Sequence, residues 1–289
     1  MSSHENERVP KTVKSVTRLP SEQSDHSGRR AGKSSRAPQQ HRFITPKRVL
    51  DCFNTRAFKR EQPDNPELML EVVARSMARD EPIPFVLYWG KGPRSSPAEP
   101  EAKTLDYLAA LARRVHETYE RGAALTLIFT DTHADLNGHS PEVIRTYFHE
   151  TAGWARQRGF ESCWLSDVKR RVQWKPDEGF ADQNVPKELS ATLCASATKW
   201  FRGSGTPEEG ARRYYQSNMI EKRLVELAFP HSIFVTFNGS ELRALFPSGL
   251  PVFYMFSLRH GVSDKPWFLP AKLPSRNIPS SVHQLACRT

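Results

Sequence analysis

The stretch LTLIFTDTHADLNGHSPEVIRTY, residues 125–147, holds a predicted strand, a polar turn and a helix start in immediate succession. Residues 125–129 are apolar and predict a buried strand. Ser140 and Pro141 indicate a helix N-terminus, because a hydroxyl caps the helix and proline fits its first turn. The ionisable side chains between them include Asp131, His133 and Asp135. Ligands of parallel α/β sheets bind at the carboxyl ends of strands, so we predict that these three side chains are catalytic.

The same alternation of strand and helix extends in both directions along the chain. We predict strands at residues 83–89, 125–129, 162–165, 231–237 and 251–257. We predict the longer helices at residues 103–121, 141–158, 186–202 and 207–229. Strands that alternate with helices over short connections are typical of a Rossmann-like α/β fold, with a mostly parallel sheet flanked by helices. No helix is predicted between the last two strands, so we expect those two strands to pair antiparallel.

The net charge of +10 is concentrated at the N-terminus. Residues 1–60 hold 14 Lys or Arg and 5 Asp or Glu, which leaves +1 for the rest of the chain. Residues 1–42 also contain few large apolar side chains, so we predict a disordered basic arm, suited to tRNA or to an acidic partner. Residues 43–270 are predicted to form a single α/β catalytic domain. Residues 271–289 are predicted to be a loosely ordered tail.

Several classes of protein lack support in this sequence. No apolar run approaches the roughly 20 residues that span a bilayer, so we expect no membrane partner. The four cysteines stand far apart and have neither zinc-site nor redox-motif spacing, which favours a reducing cytoplasm. His133, Asp135 and His139 have no second close histidine pair to complete a metal site, so we predict no metal. Neither a G-x-G-x-x-G nor a G-x-S-x-G motif is present.

The order of motifs resembles the isonitrile (isocyanide) synthase family, which includes a fungal spore-wall protein for dityrosine precursors. The first shared feature is a strand followed by a loop that contains Lys91, Arg94, Ser95, Ser96 and Pro97. The second is a strand that ends in Asp131, followed by a helix with the pattern of Gly138, Ser140, Glu142, Ile144 and Tyr147. The third is a pair of late strands followed by Pro266 and Trp267. The resemblance covers residues 84–268, although Asn238, Gly239 and Ser240 stand where the family has a histidine.

The resemblance implies an enzyme of specialised metabolism that condenses the amine of an amino acid with a pentulose phosphate. It implies no metal and no cofactor. It also implies phosphate binding by Lys91 and Arg94, and proton transfer by Asp131, His133 and Asp135. The other substrate-binding residues that we derive from it are Ser140, Arg223, Asn238, Arg259 and Lys265. Of these, Arg223 or Arg259 would face the carboxylate of the amino acid.

Two other functions fit the same sequence features. One is a tRNA-dependent aminoacyl transferase with a core like that of class I synthetases. Signatures of the HIGH and KMSKS type are missing, so activation of the amino acid by ATP is not expected. The other is a binding protein without catalysis. Binding to RNA would weaken steeply with salt, whereas the synthase function predicts no such dependence.

Overall fold

The computed structural model describes residues 44–90, 93, 95–175 and 184–256, and the predictions for residues 1–42 and 271–289 lie outside them. The strands are β1 Ile83–Trp89, β2 Ala123–Phe129, β3 Glu161–Trp164, β4 Ile233–Thr236 and β5 Val252–Tyr254. They form one sheet in the order β3-β2-β1-β4-β5, and each neighbouring pair is parallel. The predicted Rossmann-like α/β fold with a parallel sheet is therefore confirmed.

Helices pack against both faces of this sheet. They are α1 Pro46–Phe53, α2 Pro66–Ala78, α3 Glu99–His116, α4 Asp131–Leu136, α5 Pro141–Gln157, α6 Leu165–Val172, α7 Lys187–Trp200 and α8 Pro207–Ala228. Side chains of α1, α2, α3 and α5 contribute to the core on one face, and those of α6, α7 and α8 contribute to the core on the other. The strands are apolar because helices cover both of their faces.

Polar residues and prolines fix where several helices begin. Thr45, Asn65, Ser140 and Thr206 each accept a hydrogen bond from a backbone N–H of the following helix. Each is followed by proline, which fits the first turn because its missing N–H would have no partner there. These helix starts could be identified in the sequence. None of the described helices is both long and apolar enough to cross a membrane.

Two of the helices were not predicted from the sequence. Residues 131–136, predicted as a polar turn, form the short helix α4, and residues 165–172 form α6. Both helices begin directly after a strand, so they carry few of the start signals that proline and a capping residue provide elsewhere. Neither Thr130 nor Trp164 caps its helix through its side chain.

The predicted antiparallel pairing of the last two strands is wrong, because β4 and β5 are parallel. Residues 237–251 connect them, which exceeds the dozen or so residues that a parallel crossover needs. A 3₁₀ helix, Ser240–Leu245, occupies this connection in place of an α-helix. Antiparallel contacts to β5 come instead from the segment between α1 and α2, through bridges from Lys59 to Met255 and from Asp64 to Val252.

The order of the strands places a topological switch point between β1 and β4. From β1 the chain proceeds to β2 and β3 on one side, and β4 and β5 lie on the other side. Open α/β sheets bind ligands in the crevice outside the carboxyl ends of the strands at such a point. Gly90 ends β1 with a φ of 80°, and a Cβ there would stand 2.5 Å from the ring of Phe148. A residue larger than glycine would therefore disturb this end of β1.

Candidate active site

A cleft opens at the switch point. Its empty volume, which includes space open to solvent, is about 420 Å³. Its lining comes from the carboxyl ends of β1 and β4 and from the 3₁₀ helix with the residue that follows: Leu87, Tyr88, Gly90, Phe234, Val235, Thr236, Phe237, Asn238, Leu245 and Phe246. The fold thus places the cleft where open parallel sheets bind their ligands.

A buried histidine–carboxylate pair lies on the α8 side of this sheet edge. His133 of α4 is fully buried, and its Nε2 is in direct contact with Oε2 of Glu221 in α8. The other oxygen of Glu221 accepts hydrogen bonds from the hydroxyls of Thr132, at 2.5 Å, and Ser217, at 3.0 Å. A buried carboxylate needs such partners, because leaving it unpaired away from water is strongly unfavourable.

The surroundings of Glu221 keep it ionised. Burial by itself raises the pKa of Glu221, but the charge of His133 and hydrogen bonds from His133, Thr132 and Ser217 lower it. The net result is a pKa below the ordinary value of 4.5. Because a carboxylate faces Nε2, Nδ1 is the nitrogen of His133 that is left for another partner. Nδ1 has no hydrogen-bond partner within the part of the chain that the structure describes.

Two tyrosines border the imidazole. The ring of Tyr214 in α8 packs edge-on at 5.0 Å, and the ring of Tyr88 in β1 lies at 6.4 Å. Tyr88 also packs edge-on against Phe234, at 5.1 Å, and lines the cleft. It therefore stands between the cleft and His133.

The hydroxyl of Tyr88 is also available for hydrogen bonding. It is buried and makes no hydrogen bond to any described residue. Burial, followed by the charge of Glu221, raises the pKa of Tyr88 well above its ordinary value of 10. The hydroxyl therefore stays protonated and can donate a hydrogen bond at all physiological pH values.

The structure separates the three residues predicted to be catalytic. His133 belongs to the buried pair just described. Asp131 is half-buried, and its Oδ1 accepts a hydrogen bond from the backbone N–H of Ser166 in the first turn of α6, at 3.1 Å. Asp135 is exposed. It lies two residues beyond His133 in α4, so it points away from that side of the helix.

The predicted substrate-binding residues are more dispersed. Ser140 is exposed and caps α5 through Val143, at 3.3 Å. Arg223 pairs with Glu226 at 2.9 Å, and Glu226 also accepts a hydrogen bond from Gly249, just before β5 begins. Arg223 therefore lies toward the amino end of β5. The remaining predicted residues are Asn238, which lines the cleft, and Lys91, Arg94, Arg259 and Lys265, which lie outside the described residues.

The sequence prediction missed most of the buried site. The missed residues are Tyr88, Thr132, Tyr214, Ser217, Asn218 and Glu221. One signal was present: Tyr214, Asn218 and Glu221 are polar residues at positions i, i+4 and i+7 of a predicted helix, so they share a face. Among the described residues, no three His, Cys, Asp or Glu side chains are grouped as metal ligands.

Solved structures of other proteins superpose on this chain. The PvcA protein from Pseudomonas aeruginosa superposes with a TM-score of 0.58 and 19% identity, over 77% of this chain and 87% of that one. Tyrosyl-tRNA synthetase from Archaeoglobus fulgidus superposes with a TM-score of 0.45 and 11% identity, over 71% of this chain and 63% of that one. No family model and no curated protein matches the sequence. The likeness to PvcA shows a shared fold.

Proposed function

We propose that this chain is a biosynthetic enzyme that performs an isonitrile-synthase-like condensation of an amino acid with a pentulose phosphate. The observation that carries the proposal is the buried His133–Glu221 pair, with Nδ1 unpartnered among the described residues, beside a cleft at the switch point. The fold of PvcA, an isonitrile synthase, supports this choice of reaction, as does the motif order in the sequence.

The first step of such a reaction requires a group that both accepts and donates a proton. The amine adds to the ketone carbon of the sugar, and loss of water then leaves an imine. We assign to His133 the acceptance of a proton from the attacking nitrogen. The imidazolium donates this proton to the former ketone oxygen, and a second transfer through the same ring moves the remaining N–H proton to that oxygen, which leaves as water. Glu221 orients the ring and stabilises its cationic form, a role that general acid–base catalysis commonly gives to a carboxylate.

The charged ends of the two substrates need cations. We propose that Lys91 and Arg94, in the loop between β1 and α3, bind the phosphate. Arg259 and Lys265 remain candidates for the carboxylate and for the phosphate. Arg223 is a weaker candidate for the carboxylate, because its guanidinium pairs with Glu226 toward the amino end of β5. Asp131 stays a predicted acid or base next to the site.

The test is mass spectrometry after incubating the protein with pooled amino acids and ribulose 5-phosphate labelled with ¹³C at the ketone carbon. We expect one amino acid to gain a labelled carbon and lose two hydrogens. His133→Gln should abolish the product, because glutamine can still contact Glu221 but cannot shuttle a proton. His149→Gln, the same change at an exposed histidine of α5, is the control.

Three outcomes would contradict the proposal or its assignment of His133. If the product forms only when charged tRNA is added and its formation does not require the sugar, the protein is an aminoacyl transferase. If no amino acid is consumed under either condition, the function as a binding protein is favoured. Full activity in His133→Gln would show that the buried pair is not the catalytic acid and base.

A further inference from the structure

Asn218 is a polar side chain on a buried and largely apolar face of α8. It is 1% exposed and lies on the inner face of α8, between Ala211 and Val225. Neither its amide oxygen nor its amide nitrogen has a hydrogen-bond partner among the described residues. Buried amides are almost always hydrogen-bonded, so an unpaired one at the centre of a helix face indicates a ligand.

Asn218 belongs to the same side of α8 as the residues that contact His133. Tyr214 precedes it by four positions and Glu221 follows it by three, so all three share one helix face. Tyr214 packs against the imidazole of His133, and Glu221 contacts its Nε2. Asn218 therefore lies between two residues that touch His133, and Tyr88 approaches the same ring from β1.

We propose that Asn218, the hydroxyl of Tyr88 and Nδ1 of His133 together form a subsite that binds the uncharged hydroxyketone part of a sugar. The identity of that sugar as a pentulose phosphate rests on the function proposed above. Asn218 is then a residue that binds the sugar substrate directly and selects for it. The cleft beside Tyr88 is the route by which the rest of the molecule reaches solvent.

The chemistry of the three groups favours a neutral partner. An amide supplies two donors and one acceptor, the phenol supplies a donor, and Nδ1 can donate or accept. A carbonyl flanked by hydroxyls offers the complementary mixture. The interactions described for Tyr88 and Glu221 include no lysine or arginine, and His133 is already paired with Glu221, so a phosphate or carboxylate here would lack a cation of its own.

Calorimetric titration of the full chain with ribulose 5-phosphate tests the subsite. Asn218→Leu keeps the number and branching of the side-chain heavy atoms and removes the polar ones, so the folded state should be retained. We expect its Kd to rise about tenfold or more, and Tyr88→Phe to raise Kd several-fold. Inorganic phosphate, used as a competitor, should bind wild type and both variants alike.

Two matched control variants distinguish loss of the subsite from a general effect of changing a buried residue on the fold. Met219→Leu alters the buried neighbour of Asn218 with little change in volume. Tyr254→Phe removes another buried hydroxyl that has no partner among the described residues, but on β5. Both variants should bind ribulose 5-phosphate as wild type does.

The outcomes distinguish this inference from the proposed function. If Asn218→Leu binds ribulose 5-phosphate as tightly as wild type, the inference is overturned, whether or not the enzyme turns over. If wild type binds the sugar through Asn218 but consumes no amino acid, the subsite stands and the proposed function fails. If wild type does not bind ribulose 5-phosphate at all, both are overturned.

Discussion

Glu101 and Glu221 are two carboxylates that the fold buries on opposite faces of the same sheet. Glu101 lies in the first turn of α3, and its oxygens accept hydrogen bonds from the N–H of Ala98, at 3.0 Å, and the hydroxyl of Tyr147, at 3.1 Å. Glu221 lies in α8 and contacts His133, Thr132 and Ser217.

The two networks differ in whether hydrogen-bonding groups next to the carboxylate remain without a partner. Ala98 and Tyr147 bind Glu101 to a helix start and to α5, so this network fastens structural elements together. The network of Glu221 continues to Nδ1 of His133, which has no hydrogen-bond partner in the described part of the chain. Two more buried groups have no partner there: the hydroxyl of Tyr88, whose ring lies 6.4 Å from that of His133, and the amide of Asn218, on the same face of α8 as Glu221. A network whose groups are all hydrogen-bonded indicates a structural role. A network that ends in donors and acceptors without a partner indicates a ligand-binding role.

The largest expected difference between the two carboxylates is in turnover. Glu221→Gln should lower the rate about 100-fold, the usual effect of disabling an acid–base pair. Glu101→Gln, the same change in the other network, should keep the rate within a few-fold. Product formation, scaled to the folded fraction measured by circular dichroism, provides the comparison. Equal losses in both variants would remove the distinction.

For stability we expect a large effect of removing Glu101, the carboxylate whose replacement should hardly change the rate. Glu101→Ala removes the hydrogen bonds that the carboxylate accepts from the N–H of Ala98 and the hydroxyl of Tyr147. This loss should lower the free energy of unfolding by about 2–4 kcal/mol. The remaining folded protein should still turn over. Urea unfolding followed by tryptophan fluorescence measures the change. A drop below about 1 kcal/mol would mean that this network does not fasten α3 to α5.

Two buried tyrosines allow a finer comparison. Tyr147→Phe removes the hydroxyl that binds Glu101 and should cost about 1 kcal/mol of stability. Tyr88→Phe removes a hydroxyl with no partner among the described residues, so stability should be unchanged or higher while binding of the sugar weakens. Thermal unfolding of both variants beside wild type checks the contrast. If Tyr88→Phe proved the more destabilising change, its hydroxyl would have a structural partner.

The smallest effect concerns pH. Because the pKa of Glu221 lies below 4.5 in the folded protein, its charge stabilises the fold above that pH, and this contribution disappears as the pH falls through the folded-state value. The Tm of wild type should therefore fall more steeply below pH 4.5 than that of Glu221→Gln. Differential scanning fluorimetry across this range measures both curves. Parallel curves would show that Glu221 does not titrate differently in the folded state.

Local patterns predicted much of the fold. Apolar runs marked the strands, and Thr45–Pro46, Asn65–Pro66 and Ser140–Pro141 marked helix starts, because capping and proline geometry depend only on neighbouring residues. The parallel pairing of β5 was not predictable in this way. A crossover without an α-helix leaves no periodic pattern in the sequence.

For the candidate site, too, local features were predictable and contacts between distant residues were not. By itself the sequence determined that an ionisable residue, His133, follows a central strand, because the end of an apolar run is a local feature. Only the tertiary structure decided that Glu221, 88 positions further along, is its partner, and that Tyr88 borders the same ring. Helical spacing predicts which residues share a face of the helix, but it does not predict which residues that face contacts. Those contacts depend on how α8 packs on the sheet, and that packing is determined by many side chains together.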